Sequence, residues 1–226
     1  MPDLKQSKSQ LSLIKEVTTP SQFMCMLLTL TLLIYFPAVI KSSTTYEKYR
    51  MLERPDYEHE SLYDFWMVIP ISIILRALRI LIRKTCDNFF RSRYQHKYSD
   101  HDLDQKVEKC CKGVFKIIYF SFTSYVGMSQ VLNKTSFSPK MMLGNGDIMN
   151  TFGNYPYTPM PSLMKFYYMF CLSYYVEDGI THLVQTPKFD YWEMVLHHVI
   201  TGMLIFSSFM NGFWVTGIFV LFQMDF

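Results

Sequence analysis

Two histidines stand side by side at His197 and His198, with Glu193 four residues before the first and Thr201 four residues after it. Positions four apart stack along one face of a helix, while His198 lies about 100° further round. Adjacent imidazoles on a helix therefore look in different directions: one can line a cavity while the other meets a partner from the next helix. A neutral imidazole accepts a proton near neutral pH, and it can also carry an acyl group as a transient nucleophile. The same side chains also suit plainer work, as hydrogen-bonding groups that hold helices together. Metal ligation would need more histidines than this chain offers, because only His182 joins the pair inside the apolar stretches, and His59, His96 and His101 fall outside them. No metal is expected.

The elements that position these residues are membrane helices. Half of the 226 residues are hydrophobic and 17% are aromatic, yet the mean hydropathy is only +0.07, because polar connections separate long apolar stretches. A transmembrane helix needs roughly 20 apolar residues. Phe23–Ile40 meets that demand without any charge, Tyr63–Ile82 meets it with Arg76 and Arg79 near its end where long side chains can snorkel, and Val114–Leu132 tolerates Lys116. Two more apolar segments carry ionisable groups well inside them: Leu163–Val184 holds Glu177, Asp178 and His182, and Tyr191–Met210 holds Glu193 and the histidine pair. A sixth begins near Phe213 and reaches the last residue, Phe226. The fold class expected is all-α, a polytopic transmembrane helix bundle of about five complete spans plus a truncated sixth.

Charge sets the expected orientation. Arg83–Lys112 holds eight lysines and arginines, against four in Lys41–Ser61 and two in Asn133–Pro161. Basic loops collect on the cytosolic side, so this large basic loop and residues 1–20 are expected in the cytosol and the Asn133–Pro161 loop in the lumen. Asn133-Lys134-Thr135 is a glycosylation acceptor pattern usable on that luminal side. Residues 1–20 have no apolar core of the kind a cleaved signal carries. The net charge of +3 is small and its basic residues lie in loops, which argues against nucleic acid as a partner. The five cysteines form no Cys-x-x-Cys pair and are read as reduced or packing residues.

Read together, Lys188-Phe189-Asp190-Tyr191-Trp192-Glu193-Met194-Val195-Leu196-His197-His198-Val199-Ile200-Thr201, then Asn211, Gly217 and Asp225, resemble the Lag motif of ceramide synthases, members of the TLC-domain membrane proteins. That family's pattern runs from a basic residue with Asp and Phe through Glu-Met, His-His, Thr, Asn and Gly to His-Asp and a second Asp three residues on. Lys109–Tyr119 resembles the helix that opens the family's shared region, and Tyr167–Tyr175 its aromatic helix; no homeodomain-like insertion is present. The resemblance covers Lys109–Phe226, so the chain divides into a cytosolic tail (1–20), two spans with the basic loop (21–108) and a TLC/Lag-like domain (109–226) that is incomplete at its carboxyl end. Met224 stands where the family commonly has His, and the second Asp would fall beyond Phe226, which points to a fragment or a truncated reading frame.

The resemblance implies a sphingosine N-acyltransferase of the endoplasmic reticulum membrane, which moves a fatty acyl group from acyl-CoA to the amine of a sphingoid base with no cofactor beyond the acyl-CoA co-substrate. It implies His197 and His198 as catalytic residues. Asp225, on the following helix, would fix one imidazole's tautomer, with Glu193 as a second candidate and Thr201 and Asn211 in support. Whether a histidine acts as base or as acyl acceptor stays open. The CoA phosphates are expected near Arg83, Lys84, Arg91, Arg93 and Lys97, by charge pairing that salt would screen. Homo- or heterodimers are compatible with the sequence. The alternative is a non-catalytic TLC-domain protein that binds or regulates membrane lipids or assists at the translocon. A transporter would call for paired repeats or broken helices, and neither is visible.

Overall fold

The computed structural model describes residues 20–132, 138, 146–152, 155–185 and 190–225. Six α-helices of twelve residues or more make up the fold among the described residues: α1 (Pro20–Glu53), α2 (Val68–Tyr94, entered through a 3-10 turn at Leu62–Met67), α3 (Asp100–Val126, prolonged as a π-helical segment Gly127–Leu132), α4 (Ser162–Val184), α5 (Tyr191–Met210) and α6 (Trp214–Asp225). Among the described residues three stretches, Pro20–Glu53, Leu62–Tyr94 and Tyr191–Met210, are long and apolar enough to cross a membrane. The protein is an integral membrane helix bundle. The expected count of about five full spans is less plain than the bundle itself. α4 has the length, but Lys165, Glu177 and Asp178 interrupt its apolar run, and the first half of α3 is strongly charged.

Helices continue where the sequence suggested loops. The apolar stretch of α1 is followed by thirteen more helical residues through Glu53, and α2 runs twelve residues past Ile82. A charged residue ends the apolar span but gives the backbone no reason to stop its hydrogen-bond ladder. The basic loop expected over Arg83–Lys112 is therefore a helical hairpin, turned by residues 95–99. It is held by ion pairs from Arg91 to Asp87 at 3.3 Å and to Asp104 at 2.7 Å. Asp100 and Asp102 in the first turn of α3 suit the positive end of its dipole.

α4 sits at the centre. It packs against α2 on one side and α5 on the other; α3 covers α2, α1 lies along α5, and α6 closes against α5 and α3. Tyr167, Tyr168, Met169, Cys171 and Leu172 of α4 are buried, with Phe209, Met210, Trp214 and Ile218 from its neighbours. Lipid tails are as apolar as leucine, so helices in a bilayer are joined by close packing and polar contacts rather than by the hydrophobic effect. Aromatic stacking supplies part of this: the Tyr119 ring of α3 lies 3.9 Å from that of Tyr174 in α4 and 5.5 Å from Phe170.

The ends of the bundle are tied by polar bonds. The Gln22 side-chain carbonyl accepts from the Trp192 backbone N–H at 2.9 Å, so α1 and α5 begin together. At their other ends Arg50 donates to the Met210 carbonyl at 2.9 Å, which makes the two helices parallel. Thr158 gathers the same end, its carbonyl accepting from the Tyr57 hydroxyl and from the Trp214 indole. Burial pushes the Tyr57 hydroxyl up to about 12. Gly212 turns the chain from α5 into α6 at φ +75°, a left-handed conformation that disfavours a side chain, and a Cβ there would also meet Arg50 and the Pro156 carbonyl at 3.1 Å. The Asn133 acceptor pattern lies outside the described residues.

Arg50 and Glu60 form a buried ion pair at 3.1 Å, each side chain 2% exposed. Burial pushes the Glu60 carboxyl above its ordinary range, and the nearby Arg50 guanidinium works against that push. Breaking such a pair strands the remaining charge, whereas replacing both partners with apolar residues does not. Glu60→Ala is expected to lower stability by about 3–5 kcal/mol, and Arg50→Met combined with Glu60→Leu to recover most of it. Thermal unfolding in detergent of Glu60→Ala and of the double variant measures both.

Candidate active site

The ionisable groups inside the bundle meet between α2, α4 and α5. Arg79 of α2 reaches across to α4, with its Nη2 2.6 Å from Glu177 Oε2 and 2.8 Å from Asp178 Oδ1. Arg76, one turn earlier, donates to Thr181 Oγ1 at 2.7 Å and pairs with Glu177 Oε1 at 3.3 Å, while the Thr181 hydroxyl donates to the same Glu177 oxygen at 2.9 Å. The Arg79 guanidinium also lies over the Phe115 ring of α3, 4.6 Å from its centroid. These arginines do not merely snorkel to a headgroup layer as expected. Charges in a low-dielectric interior cost several kcal/mol unless paired, and α4 offers two carboxylates on consecutive residues at the right height. The sequence displayed both halves of the network, two arginines a turn apart in one span and two acids in another, without showing that the spans touch.

The histidines follow helix geometry. His197 is exposed on the outer side of α5 and lines an apolar groove of about 470 Å³ formed by α4, α5 and α6. Thr201, one turn on, lines the same groove, with Ile200, Leu204 and Val220 at its margin and the Tyr168 and Ser208 hydroxyls at its wall. His198 turns inward to α4. Its Nε2 lies 3.7 Å from Asp178 Oδ2, and its ring is 5.8 Å from that of His197 and 6.0 Å from that of His182. His182 is engaged elsewhere, its Nε2 within 3.1 Å of the Tyr191 carbonyl and its ring stacked on Tyr191 at 5.1 Å.

The remaining expected residues are scattered. Glu193 is exposed in the first turn of α5. Asn211 caps the opposite end of α5, its Nδ2 donating to the Ser207 carbonyl at 2.8 Å, and fourteen residues of helix, about 21 Å, separate it from His197. The backbone of Asp225 closes α6, and its side chain lies outside the described residues. Met224, its neighbour, lines the groove with His197. Among the basic residues, Arg83 lines a separate pocket of about 190 Å³ with Arg76, Arg79 and Lys112, between α2, α3 and α4. Lys84, Arg93 and Lys97 are exposed, whereas Arg91 is held by its two aspartates. Among the described residues no three His, Cys, Asp or Glu side chains converge as metal ligands would.

Gly217 explains itself at the wall of the groove. The Tyr168 hydroxyl occupies the place of a Cβ at that position and is hydrogen-bonded to Ser208. Burial raises the demand on that bond, since Tyr168 is fully enclosed.

Residues 109–226 match the TLC domain. Over 205 residues the chain is 23% identical to Ceramide synthase hyl-2 of Caenorhabditis elegans, covering 85% of this chain and 57% of that protein. It is 32% identical over 73 residues to Ceramide synthase LAG1 of Saccharomyces cerevisiae, covering 31% of this chain and 18% of the yeast protein. To Ceramide synthase LOH2 of Arabidopsis thaliana it is 27% identical over 127 residues, 55% of this chain and 40% of that one. The chain thus spans little more than half the length of the nematode relative.

Gly217→Ala is expected to destabilise the bundle by about 1–3 kcal/mol, because the new methyl displaces the Tyr168 hydroxyl. Tyr168→Phe in the same chain should return part of the loss, since the Ser208 hydroxyl and the ring carbon still crowd the methyl at 2.9 and 3.0 Å. The thermal midpoints of the single and double variants in detergent check the pairing.

Proposed function

The chain belongs to the TLC-domain family of membrane proteins, and from that premise we propose that it acts as a ceramide synthase, transferring a fatty acyl group from acyl-CoA to the amine of a sphingoid base in the endoplasmic reticulum membrane. The observation that carries this reading is His197 at the side of an apolar groove whose margin residues, Ile200, Leu204 and Val220, are exposed on the outer face of the bundle. A lipid chain could enter such a groove sideways from the bilayer and lie against Leu204 and Val220. Its polar end would then meet the imidazole and the Thr201 hydroxyl.

The ammonium of the sphingoid base loses one proton to water at the membrane surface; the freed amine attacks the thioester carbonyl, and its nitrogen gives a second proton to the His197 imidazole. The C–S bond breaks, the amide forms, and the imidazolium returns its proton to the departing thiolate. A route through an acyl-imidazole would use the same residue and the same groove. The apolar walls keep water from the thioester in either case. The CoA phosphates would remain in the cytosol, within reach of Arg83, Lys84, Arg93 and Lys97. Arg91 is the weakest of the expected phosphate contacts, because two carboxylates already occupy its guanidinium.

Membranes from cells that express the protein, supplied with a labelled sphingoid base and an acyl-CoA series, are expected to form N-acylated product. His197→Ala should lower the rate by at least about 100-fold with the protein still membrane-inserted. Full activity in that variant would remove the assignment of His197. Wild-type membranes that bind the sphingoid base but never acylate it would place the chain among the non-catalytic lipid-binding members.

A further inference from the structure

We propose that Asp178 is the carboxylate that positions His198, and that Arg79 holds Asp178 in the orientation this requires. His198 is largely enclosed, and neither Nδ1 nor Nε2 has a hydrogen-bond partner among the described residues. A buried polar atom left unbonded costs about 1–3 kcal/mol, and native structures keep few of them. Asp178 is the carboxylate that faces this unbonded ring. Its Oδ1 is taken by Arg79 at 2.8 Å, while its Oδ2 faces His198 Nε2 across 3.7 Å, too long for a hydrogen bond and within range of an ion pair.

The carboxylate is not free to swing away. Arg79 is itself fixed by Glu177 at 2.6 Å and by the Phe115 ring, so turning Asp178 would break into a network that spans α2, α3 and α4. The charged and titratable groups that bear on His198 are Asp178 and His182 from α4, Lys116 from α3 and its neighbour His197, and of these only Asp178 is acidic. Asp178 therefore selects the tautomer with hydrogen on Nε2. If the ring takes a second proton, the gap can close to the roughly 2.7–2.9 Å of a charge-assisted bond.

His198 does not line the groove, and His197 does. The Asp178–His198 pair is thus a positioning element behind the residue that faces substrate. It anchors the α5 backbone to α4 one residue from His197 and so sets the direction in which His197 points. The kinetic consequence rests on the acyl-transfer reading, while the anchoring of His198 stands on the geometry alone.

The test uses the full chain in cell membranes with Asp178→Asn, which keeps the shape and removes the charge, and Asp178→Glu, which restores the charge. Acyl transfer by Asp178→Asn should show a kcat lower by at least about tenfold with KM for both substrates unchanged, and Asp178→Glu should recover much of it. Independently of activity, the rate at which diethyl pyrocarbonate modifies His198, followed by mass spectrometry, should rise severalfold in Asp178→Asn and fall back in Asp178→Glu. A wild-type protein without acyl transfer, together with faster His198 labelling in Asp178→Asn, would overturn the enzyme reading and uphold the anchoring of His198. Unchanged labelling in Asp178→Asn overturns the proposal, as does an equal loss in the Asn and Glu variants accompanied by a matching fall in thermal midpoint.

Discussion

Charges placed between membrane helices must find one another, and the grip of Arg79 on Glu177 and Asp178 is the contact on which the rest of this bundle turns. It fixes α2 against α4 at a defined height, because both carboxylates are on consecutive residues and both are reached by one guanidinium. α4 is the helix that α5 packs on, so the same contact sets where His198 meets the bundle. A slide of α4 by one turn, about 5.4 Å, would separate the carboxylates from both the arginine and the imidazole. The ion pairs thus serve register more than raw stability, for which buried pairs are weak agents.

Two adjacent histidines then divide their labour through helix geometry alone. About 100° of rotation sends His197 to the groove and His198 to Asp178, with their ring centres 5.8 Å apart. The groove itself depends on close approach between α4, α5 and α6. Gly217 lets the Tyr168 hydroxyl reach Ser208, and Gly212 lets α6 fold back along α5 beneath Arg50. Small residues at these crossings allow close helix contacts beside an apolar groove at the flank of the bundle.

Much of this was legible in the chain. The limits of α5, Tyr191–Met210, coincide with the apolar segment read from hydropathy, and the ionisable residues of α4 stood out because they lie inside an apolar run. The extensions of α1 and α2 were not legible, since span rules find the edge of the hydrocarbon and not the end of a helix. The basic segment read as a loop is a helical hairpin in which Asp87 neutralises Arg91 within α2 and Asp104 does so from α3, and the second pairing, between two helices, is one that local composition does not reveal. For the same reason Arg79 passed as an interfacial cation and Asp178 as one acid among several. The motif placed its carboxylate at Asp225, downstream of the histidines; the carboxylate nearest His198 among the described residues comes from upstream, on α4.

The central claim, that the groove beside His197 receives a lipid chain from the bilayer, is open to direct chemical mapping. A sphingoid base carrying a diazirine in its chain, photolysed in membranes that contain the protein and followed by peptide mass spectrometry, should leave adducts on Ile200, Leu204 and Val220 that unlabelled sphingoid base competes away. Adducts confined to other faces of the bundle, or groove adducts that do not respond to competitor, would contradict it.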